Sequence, residues 1–360
     1  EMARALLPLG YAITEDESKA DAIIINTCTV RQHAEDKAVS HIGMLKHWKA
    51  ANPNGLIIVA GCAAERAKAY ITERFPHVDL VVGAKSIERF PDMIKEALAK
   101  RFDWNADDKE AWSAEAPNPT TPLADASSLG YVTIMRGCNY SCSYCIVPAV
   151  RGRELYRPTD TIIEETRERL ANGAQEIVLL GQTVNSYKYQ GVDFSDLLRC
   201  VAEVEGVKRL SFMSPHPYYF TDRLIDTLAA LPSASERIHL PAQSGNDRIL
   251  NLMRRNYTRA QLLDIVRRLK SAIPGAIITT DVIVGFPTES EDDFRDSLTL
   301  LKEAGVAGAY CFKFSPRQGT QAAGLEETVS KATKERRLSD LLNTVRKLAH
   351  ASRSYAHQKI

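Results

Sequence analysis

The sequence predicts an α/β protein in two parts, and three observations carry that prediction. Short β-branched runs alternate with helical stretches over the first hundred residues. A stretch without apolar periodicity follows, and beyond it six further strand candidates recur with helices between most of them. The whole chain has 360 residues, 44% of them apolar and 25% charged, which is enough to bury the cores of roughly two to three domains.

In the first part, Ala22-Ile23-Ile24-Ile25-Asn26, Leu56-Ile57-Ile58-Val59-Ala60 and the shorter Asp79-Leu80-Val81-Val82-Gly83 are runs of the buried, parallel-strand type. Between the first two, residues 32–50 place Ala38, Ile42, Leu45 and Trp48 at helical spacing. The expectation is an open α/β sheet of Rossmann or flavodoxin type over residues 1–102. The chain opens on a helix-like stretch, Glu1 to Leu9, closed by Gly10. A sheet of this kind normally has a strand ahead of that helix, so a preceding strand is expected to be missing. Residues 103–129 hold three prolines among Ala, Asp, Ser and Thr, the composition of a linker.

In the second part the strand candidates are Tyr131–Arg136, Glu176–Leu180, Arg209–Met213, Arg237–Pro241, Ala276–Val284 and Ala307–Ser315. Helical segments 160–171, 221–230, 259–271 and 291–304 separate most of them. Repeated strand-then-helix units make either a barrel or a doubly wound sheet, with ligands at the C-terminal ends of the strands. A last amphipathic helix over 331–350 carries Leu338, Leu341, Leu342, Val345 and Leu348 on one stripe.

Charge and cysteine content narrow the function. Lys and Arg number 46 against 45 Asp and Glu, which excludes a generally basic nucleic-acid-coating protein but leaves room for local basic patches. No apolar run approaches the roughly 20 residues of a membrane span, so a cytoplasmic protein with no membrane partner is expected. Seven cysteines are too few for a disulfide scaffold. Three of them, Cys138, Cys142 and Cys145, have CxxxCxxC spacing directly after the first strand of the second part. Three thiolates on one short loop can hold three irons of a four-iron cluster and leave the fourth open to a non-protein ligand. Structural zinc would want a fourth Cys or His nearby, and the nearest downstream histidine is His216.

The segment Arg136-Gly137-Cys138-Asn139-Tyr140-Ser141-Cys142-Ser143-Tyr144-Cys145 resembles the cluster loop of radical S-adenosylmethionine (SAM) enzymes, with Tyr144 as the aromatic before the last cysteine. Further segments resemble the methylthiotransferases within that family. They are Cys145-Ile146-Val147-Pro148, Arg151-Gly152-Arg153, Arg157-Pro158, Gly181-Gln182-Thr183-Val184-Asn185-Ser186-Tyr187, Ser214-Pro215-His216-Pro217, His239-Leu240-Pro241-Ala242-Gln243-Ser244-Gly245 and Asp281-Val282-Ile283-Val284-Gly285-Phe286-Pro287. The likeness runs over nearly the whole chain and leans toward the tRNA-modifying branch.

The resemblance implies a partial (β/α)6 TIM-like barrel over 130–325, with 326–360 leading to a small RNA-binding TRAM domain that the chain does not include. It implies two [4Fe-4S] clusters and two SAM molecules. One SAM gives a methyl group to sulfur; the other, cleaved at Cys138, Cys142 and Cys145, yields the 5′-deoxyadenosyl radical that takes hydrogen from C2 of the target adenine. The expected substrate is tRNA carrying N6-isopentenyladenosine beside the anticodon, with an electron donor such as flavodoxin or ferredoxin, a sulfur source, and a monomeric enzyme. Cys28 and Cys62, 34 residues apart (62 − 28), each follow a strand of the first sheet and would emerge at one edge. With the family in view they become ligands of the second cluster, whose third cysteine would precede this chain.

Tyr144, Gln182, Gln243 and Asp281 are the candidate SAM contacts at the strand ends. Arg136, Arg151, Arg153 and Arg157, interleaved with Tyr140, Tyr144 and Tyr156, suit phosphate contact and stacking on an unpaired base. Arg254, Arg255 and Arg259 form a second such patch. Cys200 and Cys311 read as core residues, and His216 and His239 as structural ones. Competing readings are a sister methylthiotransferase acting on threonylcarbamoyl-adenosine or a ribosomal-protein aspartate, a cobalamin-dependent radical SAM methylase, and a plain iron–sulfur electron carrier.

Overall fold

A computed structural model describes residues 2, 6, 7, 10–29, 32–102 and 128–357. The linker expected over 103–129 falls almost wholly outside the described residues, as does most of the opening helix-like stretch. The chain divides into two compact units, residues 1–125 with Ala149–Gly152, and 126–148 with 153–360.

The first unit is a parallel sheet in the order β1 (Ala22–Thr27), β2 (Leu56–Gly61), β3 (Leu80–Gly83). Helices cover it: α1 (Gln32–Ala51), α2 (Cys62–Arg66), α3 (Lys68–Arg74) and α4 (Phe90–Phe102). The uninterrupted apolar run of β2 has a simple cause. Ile57 and Val59 pack with Ile42, Leu45 and Ile71 on one face, while Leu56, Ile58 and Ala60 pack with Phe90, Ile94 and Leu98 on the other. A strand buried on both faces has no position for a polar side chain.

The second unit has six strands in sequence order: β4 (Leu129–Thr133), β5 (Glu176–Leu180), β6 (Arg209–Phe212), β7 (Arg237–His239), β8 (Ile277–Val284) and β9 (Gly308–Lys313). β4–β5–β6 and β7–β8–β9 are parallel ladders, and a parallel bridge between Leu210 and Ala234 joins them into one arc, a partial (β/α)6 barrel. The intervening helices are α5 (Thr159–Ala171), α6 (Phe194–Ala202), α7 (Asp222–Ala230), a short α8 (Asp247–Leu252), α9 (Arg259–Ala272) and α10 (Glu291–Ala304), with α11 (Lys331–His357) after β9. Reciprocal side-chain caps at Thr258/Gln261 and Ser290/Asp293 start α9 and α10.

The main core lies between the outer faces of the strands and these helices: Val132, Ile134, Ile177, Leu179, Leu210, Ile238, Ile278, Val282 and Val284 are all buried there. The alternate residues point the other way, and of these Tyr131, Met213 and Tyr310 are exposed. One expected strand is corrected. Tyr131–Arg136 is two elements, because Met135 and Arg136 leave the parallel ladder and pair antiparallel with Leu155 and Tyr156. That turn-off sets the direction of the cysteine loop that follows.

Candidate active site at the barrel mouth

The cysteine loop and the segments around Gln182, His216 and Gln243 follow the barrel strands β4, β5, β6 and β7. After β4 comes the loop bearing Cys138, Cys142 and Cys145. Its underside is apolar: Tyr144 packs on Ile249, Met253, Phe286, Phe314 and Ala322. Ser143 fastens the loop, donating Oγ–H to Leu252 O (2.7 Å) and its amide to Met253 O (3.1 Å), and accepting from Ala322 N (2.7 Å).

Each thiol has a polar neighbour. Cys138 Sγ lies 3.3 Å from Thr183 Oγ1, Cys145 Sγ accepts from Val147 N at 3.4 Å, and Cys142 Sγ accepts from Arg255 Nη1 at 3.3 Å. Burial pushes the Cys145 thiol up to about 12 against the amide bond from Val147, and burial likewise raises Cys138. Such thiols stay protonated at neutral pH until a metal displaces the proton. Among the described residues no three Cys, His, Asp or Glu side chains converge on a single ion. A four-iron cubane does not ask them to, since each thiolate ligates a different iron. Three sulfurs on one braced loop, each with a hydrogen-bonding neighbour, therefore fit an iron–sulfur cluster.

The loop after β5 explains its own sequence. Gln182 Oε1 accepts from Gly137 N (2.6 Å), bracing the cysteine loop, and Thr183 reaches Cys138. Asn185 then stitches this loop to the next: its Nδ2 donates to His216 O (2.9 Å) and its Oδ1 accepts from His216 N (2.7 Å). Tyr187, fully buried, donates its hydroxyl to Arg157 O (2.7 Å). His216 stacks on Tyr140 of the cysteine loop, centroids 4.0 Å apart and rings 10° from parallel. Burial first, and Arg255 second, lower its pKa to about 2, so the imidazole is neutral. Its Nδ1 accepts from Tyr218 N, and its Nε2 is buried with no partner.

After β7, Gln243 takes a left-handed conformation (φ 65°), its amide donating to Asp281 O (2.8 Å). Gly245 packs so closely on α10 that a Cβ would stand 2.4 Å from Asp296 O. On β8, Asp281 Oδ2 lies 3.4 Å from His239 Nε2, whose Nδ1 is 3.1 Å from Thr279 Oγ1. Tyr257 links this side to the cysteine loop, with its hydroxyl 2.8 Å and 2.9 Å from the carbonyl oxygens of Pro241 and Ala242 and 3.0 Å from Arg255 Nε.

In the first unit, Thr27 and Gly61 are register partners at the ends of β1 and β2, so Cys28 and Cys62, the next residues, leave the sheet at one edge. Cys28 is exposed and Cys62 buried. Gly61 has φ 103°, and a Cβ there would meet Thr27 O at 2.4 Å. Thr29, Glu35 and Arg66 form a linked group that anchors the loop carrying Cys28.

The predicted arginines part company. Arg157 is half-buried and bonded to Thr133 O and Glu165 Oε2, both at 2.6 Å. Arg151 directs Nε to Cys62 Sγ at 3.2 Å. Arg136 lies in the two-residue strand beside Leu155, and Arg153 is exposed. In the second patch Arg254 is exposed, Arg255 turns inward to Cys142, and Arg259 is spent on Gly245 O, Asp296 O and Glu303. Cys311 sits against the core, while Cys200 is half-buried on α6. Sequence reasoning missed the roles of Thr183 and Tyr257 and the place of His216 in the site, and it read Arg255 as part of a basic patch rather than as a neighbour of Cys142. The enclosing Ser-Pro-His-Pro run was the one available signal for His216.

Comparison with known proteins accords with this geometry. Residues 132–301 match the radical SAM superfamily, and residues 1–83 match the uncharacterized protein family UPF0004. The tRNA-2-methylthio-N(6)-dimethylallyladenosine synthase of Alkaliphilus oremlandii is 40% identical over 362 aligned residues, covering 98% of this chain and 76% of the relative. The enzyme of the same name from Endomicrobium trichonymphae is 41% identical over 340, covering 94% and 78%. Among solved structures, the radical SAM methyltransferase TsrM from Kitasatospora setae superposes with TM-score 0.61 at 13% identity, over 81% of this chain and 61% of that one. The cobalamin-dependent radical enzyme OxsB gives TM-score 0.55 at 12%, over 97% and 49%. Those two likenesses establish the shared fold alone. Identity near 40% along almost the entire length establishes more: the chain belongs to the radical SAM methylthiotransferases, in the family of the tRNA-2-methylthio-N(6)-dimethylallyladenosine synthases.

Proposed function

We propose that this chain methylthiolates C2 of N6-isopentenyladenosine next to the anticodon of tRNA, with two [4Fe-4S] clusters and two SAM molecules per turnover. The observation that carries the two-cluster reading is the pair of separate thiol sites. Cys138, Cys142 and Cys145 share one loop after β4, and Cys28 and Cys62 follow register-paired strand ends in the other unit. A radical reaction alone needs only the first; inserting sulfur gives the second a purpose.

The bound cluster and SAM supply a carbon radical able to take hydrogen from an unactivated aromatic C–H, where acid–base chemistry fails. The protein holds and shields them. Cys138, Cys142 and Cys145 ligate three irons, Gln182 and Thr183 hold the loop's shape, and Tyr144 seals its apolar floor against water. Gln182, Gln243 and Asp281 are the proposed contacts for SAM's ribose and amino-acid ends. Arg136, Arg151, Arg153 and Arg157 are proposed RNA contacts, and of these Arg151 and Arg153 are exposed. A flavodoxin or ferredoxin would deliver electrons, a separate donor would replace the sulfur, and the cytoplasm would be the compartment. Among the described residues no helix is long and apolar enough to cross a membrane.

The test is anaerobic iron and sulfide content of the full-length reconstituted protein and of its Cys138/Cys142/Cys145 triple-Ala variant. About eight irons falling to about four is expected for two four-iron clusters. About four falling to none would leave Cys28 and Cys62 without a metal and end the methylthiotransfer reading. Nucleoside analysis after turnover on isopentenylated tRNA, against threonylcarbamoylated tRNA, then separates the substrates.

A further inference from the structure

Among the described residues, one half-buried cation at the barrel mouth, Arg255, is paired with no carboxylate. Arg255 follows α8 and lies among Cys142, Tyr144 and Tyr257. Its Nη1 donates to Cys142 Sγ at 3.3 Å and its Nε to the Tyr257 hydroxyl at 3.0 Å, and its guanidinium carbon is 5.1 Å from the Tyr257 ring centroid. Tyr257 is itself anchored on the carbonyls of Pro241 and Ala242, so the guanidinium is held from behind. Three arginines of this unit that are likewise half-buried or buried have acidic partners: Arg157 has Glu165, Arg259 has Glu303, and Arg337 has Glu289. Among the described residues no carboxylate is paired with Arg255. A guanidinium withdrawn from water is costly without a counter-charge. A neutral thiol is a weak acceptor, whereas an iron-bound thiolate supplies both the charge and a strong acceptor. The neighbouring imidazole of His216 is neutral and adds no second cation.

We propose that Arg255 is a positioning residue for the cluster: it fixes the Cys142 thiolate through a charge-assisted hydrogen bond, and its charge favours the reduced state. This rests on the reading of Cys138, Cys142 and Cys145 as cluster ligands. Reduction adds one electron to the cluster and no bond forms or breaks at Arg255. The added negative charge is stabilised by the fixed cation beside it, so the midpoint potential is higher with Arg255 than without it.

The test is a dithionite titration of full-length reconstituted protein followed by electron paramagnetic resonance, with iron content measured in parallel. The barrel signal is the one lost in the Cys138/Cys142/Cys145 triple-Ala variant; if no signal and no iron are lost there, the ligand reading fails rather than this proposal. In Arg255→Met the ratio of reduced to oxidised cluster at a fixed potential should drop about tenfold, a midpoint lower by about 59 mV for one electron. Arg255→Lys should recover most of that shift. An unchanged midpoint in Arg255→Met with its iron retained overturns the proposal. Should Arg255→Met not hold iron, Arg255→Lys decides: iron retained with a midpoint near the parent's supports the counter-charge, and iron lost there too overturns it in favour of simple packing.

Discussion

Asn185 offers the most direct test of how the barrel mouth is assembled. It stands just past β5, beyond the last ladder bond, and its side-chain amide does what another strand would do, satisfying both His216 N and His216 O at 2.7 and 2.9 Å. Asn185 is buried, and so is His216. In Asn185→Ala two backbone groups lose their partners in a site closed to water, at about 1–3 kcal/mol each. The sum is about 2–6 kcal/mol, and for a domain of this size about 2–4 °C of melting temperature per kcal/mol predicts a fall of about 4–24 °C. Asn185→Asp should do no better, because it keeps the acceptor for His216 N but sets a carboxylate oxygen against His216 O. Anaerobic thermal unfolding followed by circular dichroism reads both. A loss under about 2 °C in Asn185→Ala would refute the claim that this amide joins the two loops.

Three further outcomes follow from the same structure. Gly61→Ala forces a side chain into a conformation that costs about 1–3 kcal/mol and drives its Cβ onto Thr27 O; on the proposed two-cluster reading, iron held through Cys62 should fall while barrel iron persists, and unchanged total iron would contradict this. Arg337→Met strands the buried carboxylate of Glu289, whose Oε2 lies 2.8 Å from Arg337 Nη1, and should destabilise by about 3–5 kcal/mol; the double variant with Glu289→Gln should recover part of that in urea unfolding, and strict additivity would dismiss the pairing. His216 is neutral in the fold, its pKa about 2, but protonates near 6.5 when unfolded, so only the unfolded chain binds that proton between those values. Stability should therefore fall as pH drops below about 6.5, by up to about 1.4 kcal/mol per pH unit, and His216→Phe should remove that part of the slope. Unfolding free energies from urea titrations that change equally between pH 6.5 and 5.5 in the parent and in His216→Phe would show the imidazole to be solvated.

Much of the architecture is local and so was readable. The β-branched runs became β1 to β3, and Glu176–Leu180 and residues 291–304 are reproduced to the residue, because periodicity and caps act over one or two turns of chain. The error at Tyr131–Arg136 has a non-local cause. Met135 and Arg136 are extended as expected, but their partner is Leu155–Tyr156 rather than β5, and pairing direction leaves no mark on a strand's own sequence. The short α8 was missed for the related reason that six residues carry little periodicity.

The candidate site divides along the same line. The grouping of Cys138, Cys142 and Cys145 is legible because their spacing on one loop is a property of the chain, and the resemblance of the flanking segments identified the family. Arg255 shows the opposite case. In the sequence it sits beside Arg254 and near Arg259 as one basic patch, yet α8 and the turn after it send the three to solvent, to Cys142 and to Glu303 respectively. His216 likewise looks like one histidine between prolines until β5 and β6 lie side by side and Asn185 clamps it over the cysteine loop. The sequence by itself determined the strand-and-helix order, the thiol loop and the chemistry it implies, all set by residues close along the chain. Which polar side chains turn toward that loop was decided only by the tertiary structure, because their orientation depends on partners 30 to more than 100 residues away.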